Sequence, residues 1–101
     1  MTTQLELAAT SSLTMEDSQS YELSYFVITY IDVGSIAGYG IRSEMRKAHD
    51  KKLHEIAEAP PISEDKQAVL EMAQKLAYGS VTPDFLCGAV DYECTIASME
   101  E

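Results

Sequence analysis

Polar and apolar side chains alternate most regularly between residues 21 and 33. Tyr21, Leu23, Tyr25, Val27, Ile31 and Val33 fall at one phase of a two-residue period, and Glu22, Ser24, Phe26, Ile28, Tyr30 and Asp32 at the other. β-Branched and aromatic residues at alternate positions suit a pleated surface, so the segment is predicted to be a strand. Its second phase is half apolar, which predicts a central strand partly covered on both faces. Asp32-Val33-Gly34-Ser35 supplies turn chemistry, and Ile36 to Ile41 resumes the extended pattern. Tyr39, Ile41 and, if the strand continues, Met45 then share a face. Gly38 and Gly40 leave the opposite face bare, which permits another backbone or a helix to approach closely.

The flanking segments are less regular. A short strand is predicted around Gln4–Ala8, and the small polar residues of 8–20 read as a loop. Residues 42–58 read two ways. Met45, Ala48, Leu53 and Ile56 approximate a helical stripe, but the strand could equally run to Lys47, turn at His49-Asp50-Lys51 and return through Leu53–Ala57. Ala59-Pro60-Pro61 ends whatever precedes it. Ser63 then fits an N-cap, with Glu64 and Asp65 in the first helical turn. Val69, Leu70, Ala73, Leu76 and Ala77 form a buried stripe, and Gly79 takes the C′ position. Thr82-Pro83-Asp84 opens a second helix, with Phe85, Leu86, Ala89 and Val90 as its apolar face. The tail Ser98–Glu101 is expected to fray. The predicted fold is α+β: an antiparallel sheet of three to four strands packed with two C-terminal helices, in one domain spanning 1–101.

Charge changes the picture more than any other compositional feature. Seventeen acids face seven bases, a net charge of −10. Residues 1–41 carry five acids and no base, whereas 42–52 carry five bases (Arg42, Arg46, Lys47, Lys51, Lys52) against Glu44 and Asp50. Residues 53–101 return to ten acids and two bases. A field of this sign repels phosphate backbones and anionic membranes and attracts basic surfaces, so direct nucleic-acid binding is not expected. No apolar run reaches the length of a membrane span, and Met1 to Leu7 lacks the basic start of a secretory signal. The expected location is cytoplasmic.

Candidate chemistry is sparse. Cys87 and Cys94 lie seven residues apart, about 10 Å along a helix, which is too far for a disulfide. His49 and His54 would sit about 140° apart on a helix or on opposite faces of a strand, so neither geometry converges them on one metal. No calcium loop and no phosphate-binding glycine motif is present. Cys87 stands too deep in its helix for the dipole to activate it. No metal, cofactor or catalytic residue is therefore assigned, and enzyme activity is not expected.

Tyr39-Gly40-Ile41 on a strand, a charged segment, an Ile62-Ser63 helix start and Val81-Thr82-Pro83-x-x-Leu86 follow one another in this order. Together they resemble a family of small uncharacterised bacterial and phage-associated domains of unknown function, over roughly residues 21–92. The resemblance implies that the charged stretch is the return strand of a hairpin. That family's acidic-aromatic ending is echoed only loosely by Asp91-Tyr92-Glu93. It has no established active site, so it transfers no functional residue.

The charge and size lead to one expectation. The chain is read as a non-enzymatic inhibitor that binds a protein partner with a basic, nucleic-acid-binding surface, similar in size and charge to anti-CRISPR proteins that block host defence proteins. Carboxylates of Glu64, Asp65, Glu71, Asp84, Asp91 and Glu93 would make the contacts. The alternative is a small adaptor or regulator that binds through an apolar or tyrosine patch, with sheet-edge pairing or homo-oligomerisation as one version. A third reading, a small enzyme, would need a pocket around His49, His54 and Cys87.

Overall fold

The alternating segment is the second of four antiparallel strands in a computed structural model that describes residues 2–16, 18–59 and 61–90. The strands β1 (Thr2–Thr14), β2 (Ser20–Asp32), β3 (Ser35–Lys47) and β4 (Leu53–Glu58) pair in sequence order. Helix α1 (Lys66–Tyr78) follows, then a 3-10 turn (Pro83–Phe85) that leads into helical residues 86–90. The expected α+β fold, an antiparallel sheet with two C-terminal helices, is therefore present.

One face of the sheet carries the core. Tyr21, Leu23, Tyr25 and Val27 of β2 and Ile41 and Met45 of β3 bury against Val69, Ala73, Leu76 and Ala77 of α1 and against Leu86 and Val90. The tyrosine hydroxyl of Tyr25 reaches past the helix end and donates to the Val81 carbonyl at 2.6 Å. Ser11 and Ser80 share a hydroxyl hydrogen bond of 2.7 Å, so β1 is tied to the same interhelical link.

Several local expectations are corrected, and the open reading of residues 42–58 is decided. β1 is thirteen residues long rather than the short strand Gln4–Ala8 followed by a loop. A bulge between Leu7 and Ala9 hides it in the sequence, because the inserted residue switches the alternation phase. Leu5 and Leu7 therefore sit on one face, and Ala9, Ser11 and Leu13 on the other. Residues 42–58 form the end of β3, a turn and β4, not a helix, as the resemblance implied. In that turn Lys51 takes φ 60°, and the Asp50 carboxylate accepts the Lys52 N–H at 3.0 Å.

The helix termini also shift. Asp65, not Ser63, caps α1, with its side chain accepting from the Gln67 N–H. Ser63 instead pairs with β3, its carbonyl accepting the Tyr39 N–H at 2.8 Å. At the C-terminus Gly79 has φ −86°, and Ser80 takes the left-handed position at φ 49°. The Val81 N–H bonds the Leu76 carbonyl and the Ser80 N–H that of Ala77, which is a Schellman closure set one residue later than expected. Phe85 is not on the apolar face of the second helix: it is 68% exposed. Within a 3-10 turn, residues three apart eclipse, so Pro83 and Leu86 face the core together and Phe85 turns outward.

Candidate functional site

α1 and the second helix pack on one face of the sheet, and among the described residues no helix lies on the other. The described molecule measures 43 × 33 × 17 Å, and 17 Å accommodates one sheet and one helical layer but no third. The strand register places Leu5 and Leu7 of β1 beside Ile28 and Phe26 of β2, then Gly40, Arg42, Glu44 and Arg46 of β3, then Glu58, Ile56 and Leu53 of β4. Leu5 and Leu7 remain 48% and 56% exposed, and Leu53 and Ile56 are exposed to a similar degree. Ile28 in their midst is only 1% exposed.

Between the two apolar stripes runs a row of charges. Glu44, almost buried, accepts from Arg42 Nε and from Arg46 Nη2, each at 3.0 Å. Arg42 Nη1 also reaches Glu58 at 3.1 Å, and Arg46 Nη1 donates to the Lys51 carbonyl at 3.2 Å. Lys51 pairs with Glu22. The spacing explains the row: residues 42, 44 and 46 alternate onto one face of β3, so a base–acid–base sequence at i, i+2, i+4 lines up its charges. Arg42, Arg46 and Lys51 of the basic cluster thus pair with acids of their own domain. Among the described residues, Arg42 Nη2 and Arg46 Nε have no acceptor.

Gly38 and Gly40 have the predicted consequence. With no side chains there, Tyr30 of β2 extends across β3, and its hydroxyl donates to the Ala59 carbonyl at 3.3 Å. Gly38 at φ 155° leaves room for Pro61, whose Cβ would lie 3.4 Å from any added Cβ. Burial, and then the charge of Glu58, raise the Tyr30 phenol above its usual pKa.

The residues singled out from the sequence are dispersed. Glu64 lies exposed before α1, Asp65 is its cap, and Glu71 is exposed on a helix that carries Lys66 and Lys75 as well. The Asp84 carboxylate accepts the Thr82 hydroxyl, and Lys66 pairs with Glu6 at 2.9 Å, which raises the Lys66 pKa. Asp91, Glu93 and Cys94 lie outside the described residues, as do Tyr92 and the tail Ser98–Glu101. His49 sits in the β3–β4 turn and His54 packs its ring 5.1 Å from that of Tyr21, while Cys87 is an exposed thiol on the second helix. Among the described residues, these three line no common hollow. An open depression of about 530 Å³ beside the second helix is formed instead by the link Gly79–Thr82 with Phe85, Gly88 and Ala89. Among the described residues, no group of three or more His, Cys, Asp or Glu side chains is placed to hold a metal ion. No described helix is long and apolar enough to cross a membrane.

No motif in the sequence singles out Leu5, Leu7, Leu53 and Ile56 as a set. Their signal is a residual apolar phase on the charged sides of β1 and β4, legible only once the bulges are known.

Comparison with curated proteins and with solved structures finds no match. A family model described as Family of unknown function (DUF6514) matches residues 4–93, which takes in β1 from Gln4, the other three strands, α1 and the described part of the second helix, and the chain belongs to that family.

Proposed function

We propose that this chain is a non-catalytic protein-binding module whose partner docks on the helix-free face of the sheet. One observation carries the reading: that face displays Leu5, Leu7, Leu53 and Ile56 around a charge row that is already internally balanced. Exposed apolar side chains rimmed by satisfied charges are what a protein interface needs. Arg42 and Arg46, partly exposed on this face, favour a partner that offers carbonyl or carboxylate acceptors between apolar contacts. The exposed thiol of Cys87 suits a reducing cytoplasmic setting.

The acid-mediated inhibitor of a basic surface makes the opposite prediction about salt. Its described carboxylates are spread over the molecule, and Asp65 and Asp84 are engaged in local hydrogen bonds. Partner capture from lysate should therefore survive a rise from about 0.05 to 0.5 M salt, beyond which screening of exposed charges is nearly complete. It should be lost with Ile56→Lys and with Leu53→Lys. Capture that vanishes at high salt and ignores both substitutions would transfer the function to the carboxylates, and capture of nothing at either salt would count against both readings.

A further inference from the structure

β1 and β4 are the two edges of the sheet, and they are finished differently. β4 is six residues long, carries His54, Glu55 and Glu58, and runs into Pro60 and Pro61. The chain beyond it stays against β3, with the Ala59 N–H donating to the Ile41 carbonyl and the Ile62 N–H to the Tyr39 carbonyl. Charges, prolines and short length are the usual means by which proteins blunt an edge. β1 has none of them. Its thirteen residues contain no proline, lysine or arginine and one acid, Glu6, whose charge Lys66 neutralises. Among the described residues, no backbone or side-chain hydrogen bond reaches the outward side of its backbone. Only the bulge at Leu7/Ala9 interrupts it, which leaves Thr2–Leu7 as a regular, exposed stretch.

We propose that this stretch of β1 pairs antiparallel with the same stretch of a second copy, so that two four-stranded sheets join into one of eight. A second copy suits this edge because the stretch can pair with itself: it carries one acid, neutralised by Lys66, and otherwise uncharged or apolar residues. At −10 per chain, two copies repel on approach, and β1 is the strand along which that repulsion is locally cancelled. The symmetry is that of a closed dimer, with the two-fold axis perpendicular to the sheet. Opposed residues must then share a face, which restricts the axis to a residue position. An axis at Glu6 would oppose two carboxylates. An axis at Leu5 sets Leu5 against its counterpart, Leu7 against Thr3 and Glu6 against Gln4, and keeps the acids apart. It also merges the Leu5, Leu7 and Phe26 patches of both copies into one apolar surface on the helix-free face.

This inference stands apart from the docking reading, because it uses the backbone edge and not Leu53 or Ile56. Sedimentation velocity from about 1 to 500 μM, a range that spans weak to moderate dimer affinities, tests it. The wild-type chain should pass from monomer to dimer, and Leu5→Lys should weaken dimerisation at least about ten-fold, the equivalent of 1.4 kcal/mol. Thr3→Lys, on an exposed side chain, is the second variant should Leu5→Lys disturb folding, and circular dichroism confirms the fold of each. Ile56→Lys should leave the dimer intact. In the dimer the amides of Thr2–Leu7 should gain exchange protection as concentration rises. A monomer at every concentration overturns the proposal, as does a dimer indifferent to both β1 substitutions or dissolved by Ile56→Lys.

Discussion

Tyr25 shows how much one side chain settles. It lies on the core face of β2 with no exposed surface, and its hydroxyl spends its proton on the Val81 carbonyl, at the point where α1 hands over to the second helix. Burial pushes its pKa from 10.0 up to about 12. The folded chain therefore holds this proton more tightly than the unfolded one. The resulting stability is fully present below pH 10 and is lost as pH rises towards 12. Tyr25→Phe should cost on the order of 1 kcal/mol at neutral pH, because a buried carbonyl loses its donor. The same variant should show a shallower loss of stability between pH 9.5 and 11 in urea titrations, an interval chosen to straddle the ordinary phenol pKa of about 10. An alkaline profile identical to wild type would remove the assignment. Tyr25 was legible as a core residue from its phase in the strand; its tie to Val81 was not, since that contact spans 56 positions. Ser43 marks the same boundary. Its hydroxyl is buried beneath the helices without a partner, and its small polar character gave no hint of that.

At the scale of elements, the β2–β3 hairpin was expected from Asp32-Val33-Gly34-Ser35 and is where it should be. Both central residues take positive φ, 50° at Val33 and 76° at Gly34, the signature of a type I′ turn. Glycine suits this conformation, but a β-branched residue is among the least suited to it. Val33 is 97% exposed, so packing gives nothing back. Val33→Asn should raise stability by about 1 kcal/mol, read as a higher urea midpoint at unchanged slope. A lower midpoint would mean that valine makes a contact with the folded chain that its exposure does not reveal. The helix ends carry the complementary lesson. Ser63 and Gly79 have the right chemistry for their expected roles, yet Asp65 and Ser80 perform them. Pairing of Ser63 with Tyr39 delays the start of α1, and the Leu76–Val81 closure sets its end. Cap chemistry names several candidates within a few residues, and tertiary hydrogen bonds choose among them.

For the whole molecule the decisive quantities are thickness and charge. Among the described residues, a two-layer body with helices on one side leaves a sheet face and a sheet edge without a partner element, and the two proposals above occupy one each. Charge acts against the fold as a whole: the acids of the chain outnumber its bases by ten. The ion pairs that relieve this, such as Arg42–Glu44 and Lys66–Glu6, lie at or near the surface, where each contributes little. Self-repulsion should outweigh them, so raising salt from about 0.02 to 0.3 M, which shortens the screening length below the spacing of most surface charges, should raise the melting temperature. A fall in melting temperature would show that the Arg42–Glu44–Arg46 row contributes more than the summed repulsion.

The amino-acid pattern by itself determined the central strands, the hairpin between them, the positions of both helices and the excess of negative charge. These are local properties, written in the two-residue period of β2, in glycine and proline, and in composition. The return strand after the basic segment was carried by the family resemblance, because propensity at residues 42–58 favours helix and strand alike. Only the tertiary structure decided the length of β1, since a single bulged residue inverts which side chains face the core and erases the period a reader would look for. It alone decided that the bases of 42–46 answer acids of the same domain, and that Leu5, Leu7, Leu53 and Ile56 collect on the face opposite the described helices. Such facts depend on register between strands, and register is a relation between distant segments that no window of the sequence contains.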